Sequence, residues 1–331
     1  MQNSYTALIC NSNLFVPYVL SEVLEHGDNH YLIMSDVENL VCFFSEMKLP
    51  NAMVLRYAQP TWSTLLHARR EILARTGKYN IRKVIFFHTE FGGIVNWFLQ
   101  RISKHVEICY CNVFNNLPYP KARGLAAWKY WLVYRIVFGS DMDILQAPSR
   151  FCHSVPERFY KKIGATPVKI EVDQETINNR FRQCFPEIGS EAKVVLLTGS
   201  TVAMGYVEKS EYIEKTDALI EALGIQNCVA KCHPRFNDVF SKELELPAIP
   251  SYIPGNLVIG NYDVFIGNHS TLLAEAAIAG KLAISLLDYY HPVNILQPST
   301  FKTFLQDRLG GRGTIHYPKT VDEITELIKN A

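Results

Sequence analysis

Four short apolar runs, YTALICN, HYLIMS, NAMVLRY and KVIFFHT, mark the N-terminal part of the chain. Between them stand stretches of helical periodicity, FVPYVLSEVLEH, VENLVCFFSEMKL and WSTLLHARREILART. Successive strand side chains point to opposite faces, so a strand that is apolar at nearly every position is buried on both sides. Strands that alternate with helices obtain that cover from the helices and pair in parallel. VEICYCN and DMDILQAP read as later strands of the same block.

The text turns polar and irregular over ATPVKIEVDQETINNRFRQCFPEIGSEAK, and a second α/β block then opens on KVVLLTGS. It continues with the helix SEYIEKTDALIEALG and the strand CVAKCHP. LVIGNYDVFIGN reads as two short strands, STLLAEAAIAG as a helix, KLAISLLD as a strand and TVDEITELIKN as a closing helix. At 331 residues the chain has room for two domains. The expected division is an N-terminal Rossmann-like domain over residues 1–165, a crossing over 166–192 and a C-terminal Rossmann-like domain over 193–331. Two parallel-sheet domains in tandem predict a ligand cleft between them, lined by loops at the carboxyl ends of strands.

The net charge of +1 argues against general nucleic-acid binding. Eight cysteines, with no CxxC pair, read as scattered thiols of a reducing compartment. Cys228, Cys232 and His233 lack a second cluster at zinc-ligand spacing, so no metal is expected. The N-terminus has no basic leader, and no run reaches the roughly 18 apolar residues of a membrane span. A cytoplasmic protein is therefore expected, with contact at the inner membrane face left open.

Four loops have the make-up for chemistry. LLTGSTVAMG places Gly199, Ser200 and Thr201 at a strand end, where backbone N–H groups and hydroxyls can face an anion; without a Walker or dinucleotide spacing, a simple turn is the alternative. In KCHPR, Lys231, His233 and Arg235 alternate along an extended chain that Pro234 stiffens, so the three can share a side. A protonated imidazole there can hydrogen-bond a phosphate and stabilise a leaving anion; a solvated basic loop is the alternative. In NHSTLLAEAA, Asn268 and His269 precede Ser270, a good N-cap, and Thr271, so a helix N-terminus with two hydroxyls offers an anion site or an ordinary cap. FFHTEFGG sets Glu90 after an apolar strand and before two glycines, suiting either a general base or a capping acid, with His88 nearby.

Residues 119–140, YPKARGLAAWKYWLVYRIVFGS, interleave Lys121, Arg123, Lys129 and Arg135 with Trp128, Tyr130, Trp131, Tyr134 and Phe138. Such a helix lies either on an anionic membrane surface or in a core with snorkelling cations.

The order of these features resembles the bacterial sialyltransferases of the two-Rossmann (GT-B) type, especially the lipooligosaccharide sialyltransferase and capsule polysialyltransferase families. Those carry an acidic D/E-D/E-G motif, an HP motif and a paired Ser/Ser or Ser/Thr motif. EFGG stands at the place of the first, KCHPR matches the second and NHSTLLAEA the third; the likeness is concentrated in residues 190–290. Phe91 occupies the second acidic position, so only Glu90 is carried over as base. The resemblance implies an inverting transfer that needs no metal or other cofactor. A CMP-activated nonulosonic acid would be the donor and a glycan or glycolipid hydroxyl the acceptor. Glu90 would deprotonate the acceptor, His233 would hold or protonate the departing CMP phosphate, and Ser270 and Thr271 would hydrogen-bond it. Gly199 to Thr201 would lie near the nucleotide or the donor carboxylate. A transferase using CMP-Kdo or a UDP-sugar, and a non-catalytic nucleotide- or glycan-binding protein, are the alternatives.

Overall fold

A computed structural model describes residues 3–59, 61, 63–87, 93–111, 120–139, 142–146, 151–189, 192–198, 201–203, 205–233, 245–294 and 297–331; of these, 137–138 and 151–154 are described in their backbone alone. The chain divides into two units, Met1–Ile177 and Asn178–Ala331.

The first unit is built on β1 (Ser4–Ile9), β2 (His30–Ser35), β3 (Ala52–Arg56), β4 (Asn80–Phe87) and β5 (Glu107–Cys111). β6 (Asp143–Gln146), β7 (Phe151–Ser154) and β8 (Thr166–Val168) follow. Six of these strands pair in parallel in the order β3-β2-β1-β4-β5-β8. Consecutive residues of β1, Ala7, Leu8 and Ile9, are all sealed from solvent, which requires cover on both faces. On one face Ala7, Ile9, Val84 and Phe86 join Ile94, Phe98 and Phe159 in a single core. The long β1–β4 contact at its centre shifts register between Tyr5 and Thr6.

Some elements differ from the sequence reading. DMDILQAP supplies β6, but it pairs antiparallel with β7 in a separate two-stranded ribbon. The polar stretch 166–192 holds β8 at the sheet edge, where Pro167 is tolerated because only one neighbour needs its hydrogen bonds. The same stretch holds the helix Gln174–Cys184, within which the two units divide.

The second unit repeats the topology. β9 (Val194–Thr198), β10 (Cys228–Cys232), β11 (Ala248–Ile249), β12 (Val264–Gly267), β13 (Leu282–Ser285) and β14 (Ile315–His316) pair in parallel in the order β11-β10-β9-β12-β13-β14. LVIGNYDVFIGN holds one strand, not two: Gly255–Val258 is helical, entered through Pro254, and a 3-10 turn leads on to Asn261. The apolar run LVIG is too short to show a period, and its first two residues close a helical turn that Pro254 caps. Both sheets have the strand order 3-2-1-4-5-6 of doubly wound nucleotide-binding domains, so the chain is α/β with two Rossmann-like units. Among the described residues no helix is long and apolar enough to cross a membrane.

Candidate functional site

In a doubly wound sheet the crevice opens where the strand order reverses, at the carboxyl ends of the two central strands. In the second unit that point lies between β9 and β12, with β10 beside β9. The three loops singled out from the sequence leave β9, β10 and β12, so the topology brings them to one edge. The strands approach closely there: a Cβ on Gly267 would lie 2.8 Å from that of Leu197, so only glycine lets β12 pass β9 without displacing it.

From β9 the chain passes Thr198 and reaches Thr201, both buried. The carbonyl of Thr201 accepts from the Tyr206 amide at 3.0 Å, and the Tyr206 hydroxyl donates to Leu287 at 2.9 Å, which ties this loop to the one after β13. From β10 comes His233, partly exposed, whose amide donates to the carbonyl of Thr198 at 3.1 Å.

From β12 come Asn268 and His269. Asn268 is 3% exposed and its carbonyl accepts from Ser285 Oγ at 2.6 Å. Its amide nitrogen and oxygen are both buried without a hydrogen-bond partner among the described residues, which is uncommon for a polar group in a folded interior. A cavity of about 10 Å³, the scale of one water molecule, lies beside it and is lined by Thr198, Thr201, Thr216 and Tyr290. The His269 ring stacks on Phe301, with centroids 4.2 Å apart and planes 12° from parallel. Burial, reinforced by the like charge of His233, lowers its pKa to about 4, so His269 is a neutral imidazole at physiological pH. In the sequence His269 stands only as a neighbour of Ser270; the fold makes it a second histidine at the end of a second central strand.

Ser270 is the N-cap of the helix Thr271–Ile278, and its hydroxyl accepts from the Leu272 amide at 3.3 Å. A hydroxyl that caps in this way still has its own proton to donate. Thr271, half-exposed, opens the first turn. One turn further, burial raises the Glu275 carboxyl to a pKa of about 7, an effect that Arg308 partly offsets.

Lys231 departs from the expected row of cations. Its ammonium is buried and donates to the carbonyls of Cys232 at 3.3 Å and Pro250 at 3.4 Å, towards the β11 side of the sheet. Gly199, Ser200, Pro234 and Arg235, together with His88, Glu90 and Phe91 of the first unit, lie outside the described residues. Burial raises the Cys228 thiol to about 11, the setting of an inert side chain. Among the described residues no three His, Cys, Asp or Glu side chains are grouped to hold a metal ion.

No family profile matches the sequence, and no curated protein does. Solved structures with a similar chain course include the UDP-GlcNAc 2-epimerase from Methanocaldococcus jannaschii, 14% identical, over 98% of this chain and 92% of that one, with a TM-score of 0.47. The sialyltransferase from Photobacterium damsela is 11% identical over 96% and 82%, with a TM-score of 0.46. The glycosyltransferase SnogD from Streptomyces nogalater is 12% identical over 100% and 91%, with a TM-score of 0.47. The α/β assignment of the present chain rests on its own two sheets.

Proposed function

We propose that the chain is an inverting, metal-independent glycosyltransferase that moves sialic acid, or a related nonulosonic acid, from a CMP-activated donor to a hydroxyl of a cell-surface glycan. The supporting observation is the convergence at one switch point of three loop ends, carrying Thr201, His233 and the Asn268–Thr271 segment. Together they offer an imidazole, hydroxyls and a helix N-terminus to a phosphate.

In this reading the acceptor oxygen attacks the anomeric carbon as the bond from that carbon to the phosphate oxygen of CMP breaks. Glu90 takes the acceptor proton. His233 hydrogen-bonds or protonates the departing phosphate, and the hydroxyls of Ser270 and Thr271 share its charge. The loop Gly199–Thr201 contacts the nucleotide or the donor carboxylate. His269, held neutral, leaves the imidazole charge to His233.

The test is a thermal-shift panel of CMP, UDP, GDP and ADP, followed by mass analysis of products from CMP-sialic acid and glycan acceptors. Stabilisation by CMP and a product heavier by one nonulosonic residue are expected. Stabilisation by UDP without CMP would transfer the reading to a UDP-sugar enzyme, and nucleotide binding without turnover under any donor would leave a binding protein.

A further inference from the structure

The helix Leu125–Phe138 of the first unit turns an apolar stripe away from its own core. At 3.6 residues per turn, Leu125, Trp128, Leu132 and Ile136 fall within an arc of about 80° and extend about 16 Å along the axis. This is the spacing with which a helix ordinarily faces its protein. Yet Leu125, Trp128 and Ile136 are 69%, 53% and 71% exposed, Leu132 is half-buried, and the buried side of the helix holds the small Ala127.

Charge selects the occupant. From Ile108 to Ser140 the sequence has no acidic residue but four cations, Lys121, Arg123, Lys129 and Arg135. The exposed Lys129 and Arg135 border the stripe on opposite sides, and Arg135 also stacks over Trp131. Among the described residues Lys121, 3.4 Å from Asp143, is the one of the four in an ion pair. A second copy docked through the same patch would set Lys129 and Arg135 near their own images with no carboxylate of the helix between them. An anionic bilayer meets both demands, since headgroups take the cations while the acyl boundary takes the leucine, isoleucine and tryptophan side chains.

We infer that Leu125–Phe138 is an interfacial helix that seats the protein on an anionic membrane surface. The inference is independent of the reading of the second unit. It is tested by sedimenting the full chain with vesicles of phosphatidylcholine alone and of phosphatidylcholine with phosphatidylglycerol. The protein is expected to partition onto the anionic vesicles, with less bound as salt rises, and Leu125→Ser/Trp128→Ser/Ile136→Ser is expected to lower that partition at least about tenfold. Lys129→Glu/Arg135→Glu, two exposed changes that leave the apolar stripe intact, should weaken it comparably and decides alone if the triple variant does not fold. Equal binding to neutral vesicles, absence of binding, or unchanged binding by the folded variants overturns the inference. So does a dimer that the triple variant dissociates, which would assign the stripe to a second copy.

Discussion

The His233 amide donates to the Thr198 carbonyl one step beyond the Cys232–Thr198 pair that ends the β10–β9 ladder. The backbone that carries the imidazole is therefore anchored to the central strand of its sheet. His233→Ala keeps that amide, so the fold is expected to persist while transfer from a CMP donor falls about 10²–10⁴-fold. Calorimetry beside a turnover assay checks both halves; near-normal turnover would remove His233 from the reaction.

Asn268 gives a prediction of opposite sign for stability and binding. An unpartnered buried amide costs about 1–3 kcal/mol, and an apolar side chain of similar volume relieves that cost. Asn268→Leu should therefore raise the melting temperature while weakening CMP binding about tenfold or more. A lower melting temperature with unaltered CMP affinity would make Asn268 a packing residue.

Glu275 makes stability fall as pH rises. Its carboxyl titrates near 7 in the fold against an ordinary 4.5, so the folded state holds a proton that the unfolded chain releases between those values. The contribution is complete below pH 4.5 and lost by about pH 7. His269 works in the other direction: the fold keeps it neutral down to about pH 4, so stability is lost as pH falls from 6.5 towards 4. Relative to the parent protein, Glu275→Gln should gain about 3 kcal/mol between pH 4.5 and 7.5. Denaturant melts across that range read the difference, and a gain independent of pH would show that Glu275 ionises normally.

Lys231 should separate from the site that its sequence position suggested. Lys231→Met removes the ammonium that donates to the carbonyls of Cys232 and Pro250, the latter keeping the Ile253 amide at 3.0 Å, and a loss of about 1–3 kcal/mol in stability is expected with CMP affinity unchanged. Isothermal titration of the folded variant with CMP decides; a tenfold weaker affinity would return Lys231 to the ligand.

The central strands were legible because burial on both faces leaves an almost continuous apolar run, as in HYLIMS and KVVLLTGS. β8 was not, because three edge residues with a proline have too little burial to leave a pattern. The run Leu257–Ile259 misled for the complementary reason, being apolar but too short to show a period. For Leu125–Phe138 the mixture of aromatic residues and cations was visible, but composition says only that a helix has apolar and charged side chains; which face meets the core is settled by its neighbours. In the site, chain order alone brought the loops of Thr201, His233 and Ser270 together, since any doubly wound sheet collects its strand ends. The direction taken by the Lys231 ammonium depended on β11, a two-residue strand that was not read from the sequence.

The helix Gln174–Cys184 belongs to both units. Just before its start, the Asp173 amide donates to the Ser21 hydroxyl of the first unit at 3.0 Å. Near its end, Arg182 donates to Asn261 and Gly260 of the second, at 3.1 and 3.3 Å. A gene fragment cut at residue 178 would therefore begin in mid-helix, with Phe181 deprived of the preceding turn and the remaining stub too short to sustain itself. Separate expression of the second unit calls for a start upstream of Asp173, so that the hydroxyl and amide of Thr176 keep their hold on the Asp173 carboxylate at 2.6 and 3.0 Å.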